Sequence, residues 1–178
     1  MDAIAPLSAG QLAGAAPGLA ALLVDAVAGG ASLGFLAPFG QEEALRWWLG
    51  RGTAVAEGRL TVWAARDAEG VTGTVSLFRE EKANGRHRAE VVKLMVHRRA
   101  RGRGLGRTLL GAAERAAAAG GATLLLLDTE TGSPAEHLYR SAGWTSYGVV
   151  PGHATDPAGV PRPTTFFFKS LADAAPGA

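Results

Sequence analysis

Hydrophobic and polar positions change period several times along this chain. Residues 9 to 28 carry Leu12, Leu19, Leu22, Leu23 and Val27 at mostly helical spacing. Pro17 interrupts that run and Gly29-Gly30 closes it, which predicts one or two helical pieces. Residues 41 to 56 repeat the pattern, with Glu42 and Glu43 in the first turn, where the helix dipole favours them, and Leu45, Trp48 and Leu49 turned inward. This second helix is separated from the first by a loop from Gly30 to Gly40. The period then falls to two: Arg59 to Arg66 and Val71 to Phe78 alternate and are β-rich, and Asp67-Ala-Glu-Gly70 between them predicts the turn of an antiparallel hairpin. A third strand, from about Arg88 to Val96, follows a polar loop containing Asn84-Gly85.

Helical spacing returns over residues 105 to 119, after a glycine-rich turn, and stops at Gly120-Gly121. Thr123 to Asp128 is a continuous apolar run, the pattern of a strand buried on both faces. Ser133-Pro134-Ala135-Glu136 opens the next helix with a capping serine, proline at the first helical position and a glutamate placed to close a capping box. That helix ends at Gly143. Strands at about Thr145 to Val150 and Thr164 to Lys169, separated by a loop containing proline and glycine, finish the order. The succession predicts an α/β (α+β) fold, a mixed and mostly antiparallel twisted sheet with helices on both faces, in one domain spanning residues 1–178. The tail from Ala172 to Ala178 is small and polar enough to fray.

Composition narrows the chemistry more than the fold. At 178 residues the chain suits a single core. The absence of cysteine excludes disulfides, thiolate metal sites and a cysteine acyl-enzyme. His87, His97, His137 and His153 form no i, i+4 pair, so no metal site is expected. The first thirty residues lack a basic leader and no apolar run approaches a bilayer span of about 20 residues, which points to a cytoplasmic protein with no membrane association. The formal net charge is only +2. Basic density is local instead: Arg98, Arg99, Arg101, Arg103 and Arg107 fall close together, suiting one small polyanion better than nucleic acid, unless they simply form a solvated loop.

These arginines sit at a junction built for an anion. Gly102, Gly104 and Gly106 let successive N–H groups point into one concavity, and Leu105, Leu109 and Leu110 begin a helix whose positive end faces it. A diphosphate is the expected ligand. The Walker loop fails for want of Gly-Lys, and the dinucleotide fingerprint fails because Arg107 or Leu109 stands where its third glycine belongs. Gly30-Ala-Ser32-Leu-Gly34 matches a serine nucleophile elbow by residues but follows a helix, so it is read as part of a loop in which Ser32 and Phe35 line a pocket.

Arg101-x-x-Gly104-x-Gly106 after a strand resembles the coenzyme A pyrophosphate loop of the Gcn5-related N-acetyltransferases, and Ala135-x-x-Leu138-Tyr139 followed by Gly143-Trp144 resembles that family's last motif. More narrowly, Lys93-Leu-Met-Val96, Ala100 to Arg107, Leu127-Asp-Thr-Glu130 and Pro151-Gly152 are similar to the tabtoxin-resistance acetyltransferases, which act on a β-lactam amino acid. The resemblance implies about seven strands and acetyl-CoA as cofactor. It also implies a cradle made by Arg101, Gly102, Arg103, Gly104, Leu105, Gly106 and Arg107, with pantetheine paired to the main chain of Leu94, Met95 and Val96. Many members place an asparagine where this chain has Gly132, so Ser133 or the Gly132 backbone is the expected substitute.

Acyl transfer to an amine requires a free base, and at neutral pH only about one in a thousand amines of pKa near 10 is deprotonated. Glu90, read as sharing the face of Leu94 about 13 Å up-strand, and Asp128, at the end of the adjacent strand, are the candidates to bind the acceptor and take its proton. Either is equally read as a strand-end or cap residue. Tyr139 is the implied acid for the departing thiolate, and otherwise amphipathic core. The expectation is direct acetyl transfer to a primary amine of a small molecule by a possible homodimer. The alternatives are protein N-terminal acetylation and a non-catalytic acyl-CoA-binding module.

Overall fold

The computed structural model describes residues 3–171; the tail expected to fray lies outside the described residues. Seven strands form one sheet in the order β1-β2-β3-β4-β5-β7-β6. They are β1 Ala3–Pro6, β2 Leu60–Asp67, β3 Gly70–Arg79, β4 Arg88–Val96, β5 Leu124–Glu130, β6 Thr145–Thr155 and β7 Pro161–Ser170. Only β4 and β5 are parallel; every other pairing is antiparallel. The helices are α1 Ala9–Ala28, α2 Gln41–Leu49, α3 Gly52–Ala56, α4 Leu105–Ala119 and α5 Pro134–Ser141.

Helix α1 is a single piece with Pro17 inside it. Burial of Leu12, Leu19, Leu22 and Leu23 on both sides of the proline holds the two halves in line, and Gln41 donates to the Pro17 carbonyl at 2.9 Å. By length and composition α1 could cross a bilayer, against the expectation that no segment could, but here its apolar positions form a core with α2 and the sheet. The helix expected over 41 to 56 is two, because Gly50 caps α2 and a fresh turn starts at Gly52. Trp48, fully buried, ties α2 to α1 through its indole N–H to the Leu19 carbonyl at 3.1 Å.

Two cores lie on opposite faces of the sheet. One joins α1 and α2 to Leu60, Val62, Ala64 and Met95. The other joins α4 and α5 to Trp63, Val75, Ala89, Val91, Leu125, Leu127 and Phe167. Strand β1 escaped the sequence reading because four residues at a sheet edge carry too short an alternation to detect. The strands predicted at 145–150 and 164–169 are longer than expected, and Pro151-Gly152 lies inside β6 at a register irregularity, not in a loop. Nor is β5 buried on both faces: Leu125 and Leu127 are buried while Leu124 and Leu126 are half-buried, since α1 and α2 do not reach over this half of the sheet.

Candidate active site

Gly104 caps α4 at φ 78°, and Gly102 has φ 75°, both left-handed values that favour glycine. The N–H groups from Gly102 to Arg107 have no acceptor among the described residues, so six donors open at the positive end of a fifteen-residue helix. Gly106 faces α5: a Cβ there would lie 3.3 Å from Leu138 Cδ2, so a larger residue would require the end of that side chain to give way.

The five arginines divide. Arg98 pairs with the half-buried Asp25 of α1, and burial, though opposing, does not prevent these contacts from holding the Asp25 carboxyl below its ordinary range. Arg99 pairs with Asp67. Arg101 donates from Nε to the Val96 carbonyl at 3.0 Å, and Arg107 bridges to Ser141, donating to its hydroxyl at 2.7 Å and its carbonyl at 3.2 Å. Arg103 turns aside into a smaller cavity with Ile4, Asp67 and Arg99, so its expected contribution to the cradle reduces to its backbone N–H. What looked like one basic cluster is therefore partly structural bracing, which leaves the backbone as the main anion-binding element.

Strands β4 and β5 pair only through Arg88, Ala89 and Glu90 opposite Leu124, Leu125 and Leu126, and then part. Beyond that point the β4 main-chain groups directed away from β3 lose their strand partner. The split opens into a cavity of about 950 Å³ that reaches the glycine loop, Leu94, Met95 and Val96, the β5–α5 turn, Tyr139 and the loop after α1.

A bulge in β4 corrects one expectation. Lys93 has φ 54°, left-handed for a non-glycine residue, a conformation that costs about 1–2 kcal/mol. The β3–β4 register shifts at the same place. Ala89 and Val91 pack in the α4 core, yet beyond Lys93 it is Leu94 and Val96 that do so, while Met95 joins the α1 core. Glu90 therefore points to the face opposite Leu94, not the same face. Asp128, next to the α4-facing Leu127, points the same way as Glu90. The two carboxylates, neither with a hydrogen bond or ion pair among the described residues, thus lie on the α1 face of the sheet, Asp128 in the lining of the cavity and Glu90 outside it, and Tyr139 stands on the α4 face.

Burial, reinforced by the Asp128 charge, raises the Glu90 carboxyl above its ordinary range, with Lys93 opposing. Burial also raises the Tyr139 phenol, with Asp128 adding to it. Tyr139 packs against Trp144 and Phe167 with ring centroids 6.1 and 6.0 Å away, and its hydroxyl has no hydrogen-bond partner among the described residues. A buried, protonated phenol on one side and a carboxylate of raised affinity for protons on the other suit acid and base roles. The raised Glu90 value means that the folded protein holds this proton to higher pH than the unfolded chain, so ionising it costs stability as pH rises through the folded value. Glu90→Gln is expected to raise Tm at pH 8 and leave it nearly unchanged at pH 4, a difference readable by thermal denaturation at the two pH values.

Ser133 caps α5, accepting from the Glu136 N–H at 3.2 Å and lying 3.3 Å from the Thr129 hydroxyl. The expected box closes one residue early: Glu136 accepts from the N–H of Gly132 instead of Ser133. That N–H is therefore spent, and of the two substitutes for the missing asparagine the Ser133 hydroxyl and the Gly132 carbonyl are left. Ser32 lines the cavity and donates to the Thr155 carbonyl at 3.0 Å, a packing bond and not a nucleophile's. Phe35 does not line the cavity; it packs on Phe39 and Trp47 as the wall behind Lys93. Lys93 itself was missed as a site residue, because within Val91-Val-Lys-Leu-Met-Val96 nothing local marks a bulge. Its side chain donates to the Leu33 carbonyl at 2.9 Å, and burial lowers its pKa.

The model of the acetyltransferase (GNAT) family matches residues 22–144. Among solved structures, the ribosomal-protein-alanine N-acetyltransferase of Brucella melitensis is 26% identical over 95% of this chain and 99% of its own, with a TM-score of 0.76. The yncA protein of Salmonella typhimurium, solved with its cofactor acetyl-CoA, is 23% identical over 100% of this chain and 99% of its own, with a TM-score of 0.75. The phosphinothricin acetyltransferase of Sinorhizobium meliloti, in complex with acetyl-CoA, is 20% identical over 99% of this chain and 93% of its own, with a TM-score of 0.76.

Proposed function

The chain belongs to the GNAT family of acetyltransferases, and we propose that it moves an acetyl group from acetyl-CoA directly to a primary amine of a small molecule. The observation that carries this reading is the β4–β5 split, which joins a phosphate cradle and Tyr139 on one face of the sheet to Asp128 on the other through a single cavity, with Glu90 outside the lining but within electrostatic reach of Asp128. A donor laid in from the α4 side and an acceptor entering from the α1 side would meet in the gap.

The residues fit acetyl-CoA. Six unpaired N–H groups and the terminal amino groups of Arg101 suit its pyrophosphate, and the unpartnered main chain of β4 suits the amides of pantetheine. When bound, acetyl-CoA supplies an activated acetyl carbonyl and a thiolate leaving group. The chain supplies the proton transfers. Glu90 or Asp128 takes a proton from the acceptor ammonium, directly or through water, and Tyr139 delivers one to the departing sulfur. The freed main-chain N–H groups of β4 orient the carbonyl for attack.

The loop after α1 favours a small acceptor over a protein terminus. Ser32 is tied to Thr155, and the Ala37 N–H donates to the Pro157 carbonyl at 2.8 Å, so the loop is stitched to the β6–β7 turn and roofs the acceptor end. A β-lactam or other antibiotic-like amino compound is within this reading, supported by the motifs shared with tabtoxin-resistance acetyltransferases, and the proposed setting is the cytoplasm. Calorimetry with acetyl-CoA and a thiol-release assay over a broad amine panel test it together. Saturable binding with thiol release for some amines is expected. Binding without release for any amine would leave an acyl-CoA-binding module, and no binding at millimolar acetyl-CoA would end the reading.

A further inference from the structure

The chain has three lysines, Lys82, Lys93 and Lys169, in three different settings. Lys82 is exposed in the loop before β4. Lys169, on β7, is held by the Glu114 carboxylate at 2.8 Å and the Ala142 carbonyl at 2.9 Å. Lys93 is half-buried in the wall of the cavity, one residue before the Leu94 main chain proposed to hold pantetheine. Its ammonium donates to the Leu33 carbonyl at 2.9 Å and to no carboxylate among the described residues.

This setting favours a reactive amine. The left-handed backbone at Lys93 turns the side chain out of strand alternation and into the cavity wall, where the loop after α1 closes it. Burial is the main cause of its lowered pKa, opposed by Asp128 and Glu90 and aided by Arg51. Arg51 and Lys93 share one indole ring, the guanidinium 4.9 Å and the ammonium 5.6 Å from the Trp47 centroid. The lysine stem is flexible and its tie to the Leu33 carbonyl is one hydrogen bond, so the nitrogen can turn from the loop into the cavity. Asp128 lines the same cavity and is free to take a proton from it. Lys93 is thus an amine beside the thioester with no part in transfer to an external acceptor.

Resting on the transferase reading above, we infer that Lys93 is a self-acetylation site, taking the acetyl group when acetyl-CoA is bound and no acceptor is in place. Asp128 takes one ammonium proton, and the freed nitrogen lone pair attacks the thioester carbonyl carbon. The C–N bond forms and the C–S bond breaks, its electron pair leaving on sulfur. Tyr139 protonates that sulfur and recovers a proton from the nitrogen through water. The products are an acetamide on Lys93, free CoA thiol and one proton left on Asp128. An amide, unlike a thioester, does not pass its acyl group on. The acetyl group therefore stays and fills the acceptor end, and an acceptor bound there protects Lys93.

The test incubates wild-type protein with acetyl-CoA and no amine, and reads the acetylated positions by mass spectrometry of proteolytic peptides. Lys93 is expected to be modified on the order of 100-fold faster than Lys82, because it meets a bound thioester and Lys82 a dissolved one. The rate should saturate with acetyl-CoA, and thiol should appear in the same amount as acetylated Lys93. Lys93→Arg should abolish that thiol release. An unmodified Lys93, or one modified no faster than Lys82, overturns the proposal. Thiol release from the amine panel with Lys93 left unmodified would overturn self-acetylation alone and keep the transferase reading. Saturable acetylation of Lys93, with no further thiol released by any amine, would uphold self-acetylation and sink the small-amine reading. An accepted amine at saturation should slow the modification severalfold, and an undiminished rate would overturn the competition for one acetyl group.

Discussion

Tyr139→Phe is expected to lower kcat for acetyl transfer roughly 100-fold, at the lower end of the 10²–10⁴ range for general acid catalysis, while acetyl-CoA affinity stays within about twofold. The lower end applies because a thiol of pKa near 8.5 leaves more readily than an alkoxide and needs only part of a proton's help. Folding should be spared: the ring of Tyr139 stays packed on Trp144 and Phe167, and its hydroxyl has no protein partner to lose. Because burial raises the phenol above its ordinary value, the wild type keeps this proton through pH 10, and its kcat should show no alkaline fall from Tyr139 below that pH. Steady-state kinetics from pH 6 to 10 check both statements. A Phe variant with unchanged kcat would remove Tyr139 from the chemistry and return it to the core.

Tyr139 was legible in the sequence because its helix announces itself: Ser133, Pro134 and Glu136 are start signals that act within one turn, and a motif carried on such a helix stays in place. The glycine loop was legible for the same local reason. Features that depend on two strands at once were not. Glu90 and Leu94 obey alternation in any one-dimensional reading of β4, and only the pairing with β3 reveals the extra residue at Lys93 that sends them to opposite faces. The neighbouring arginines show a second kind of blindness. Five cations in a row look alike until Asp25, brought in by α1, and Asp67, at the end of β2, claim Arg98 and Arg99. The aromatic wall behind Lys93 is assembled from a loop and a helix some fifty residues upstream, so its cation pair had no sequence signature at all.

Gly104→Val should weaken acetyl-CoA binding by roughly 10- to 100-fold while leaving kcat at saturating acetyl-CoA within severalfold of wild type. A Cβ built at Gly104 meets nothing within 4 Å, so crowding of the protein by itself is not the cause. The conformation is: φ 78° is costly for any L side chain and worst for a β-branched one. The variant has two responses. It can hold the left-handed turn, placing an isopropyl group at the cradle and losing about 1–2 kcal/mol of stability. Or it can swing φ to negative values, which re-aims the N–H groups at the start of α4 and breaks up the run of donors from Gly102 to Arg107. Each donor lost to a charged phosphate is worth about 1.5–3 kcal/mol, which sets the expected range. Catalysis survives at saturation because Tyr139 lies on α5 and Glu90 and Asp128 on β4 and β5, all outside the loop. Gly106→Ala separates the turn from added bulk: its Cβ meets first the flexible end of the Leu138 side chain at 3.3 Å, and the gain in helix propensity offsets that crowding, so Tm and acetyl-CoA affinity should both stay close to wild type. Calorimetric titration with acetyl-CoA, set beside thermal denaturation of both variants, distinguishes the two effects. Wild-type affinity in a folded Gly104→Val protein would mean that the phosphate is held elsewhere.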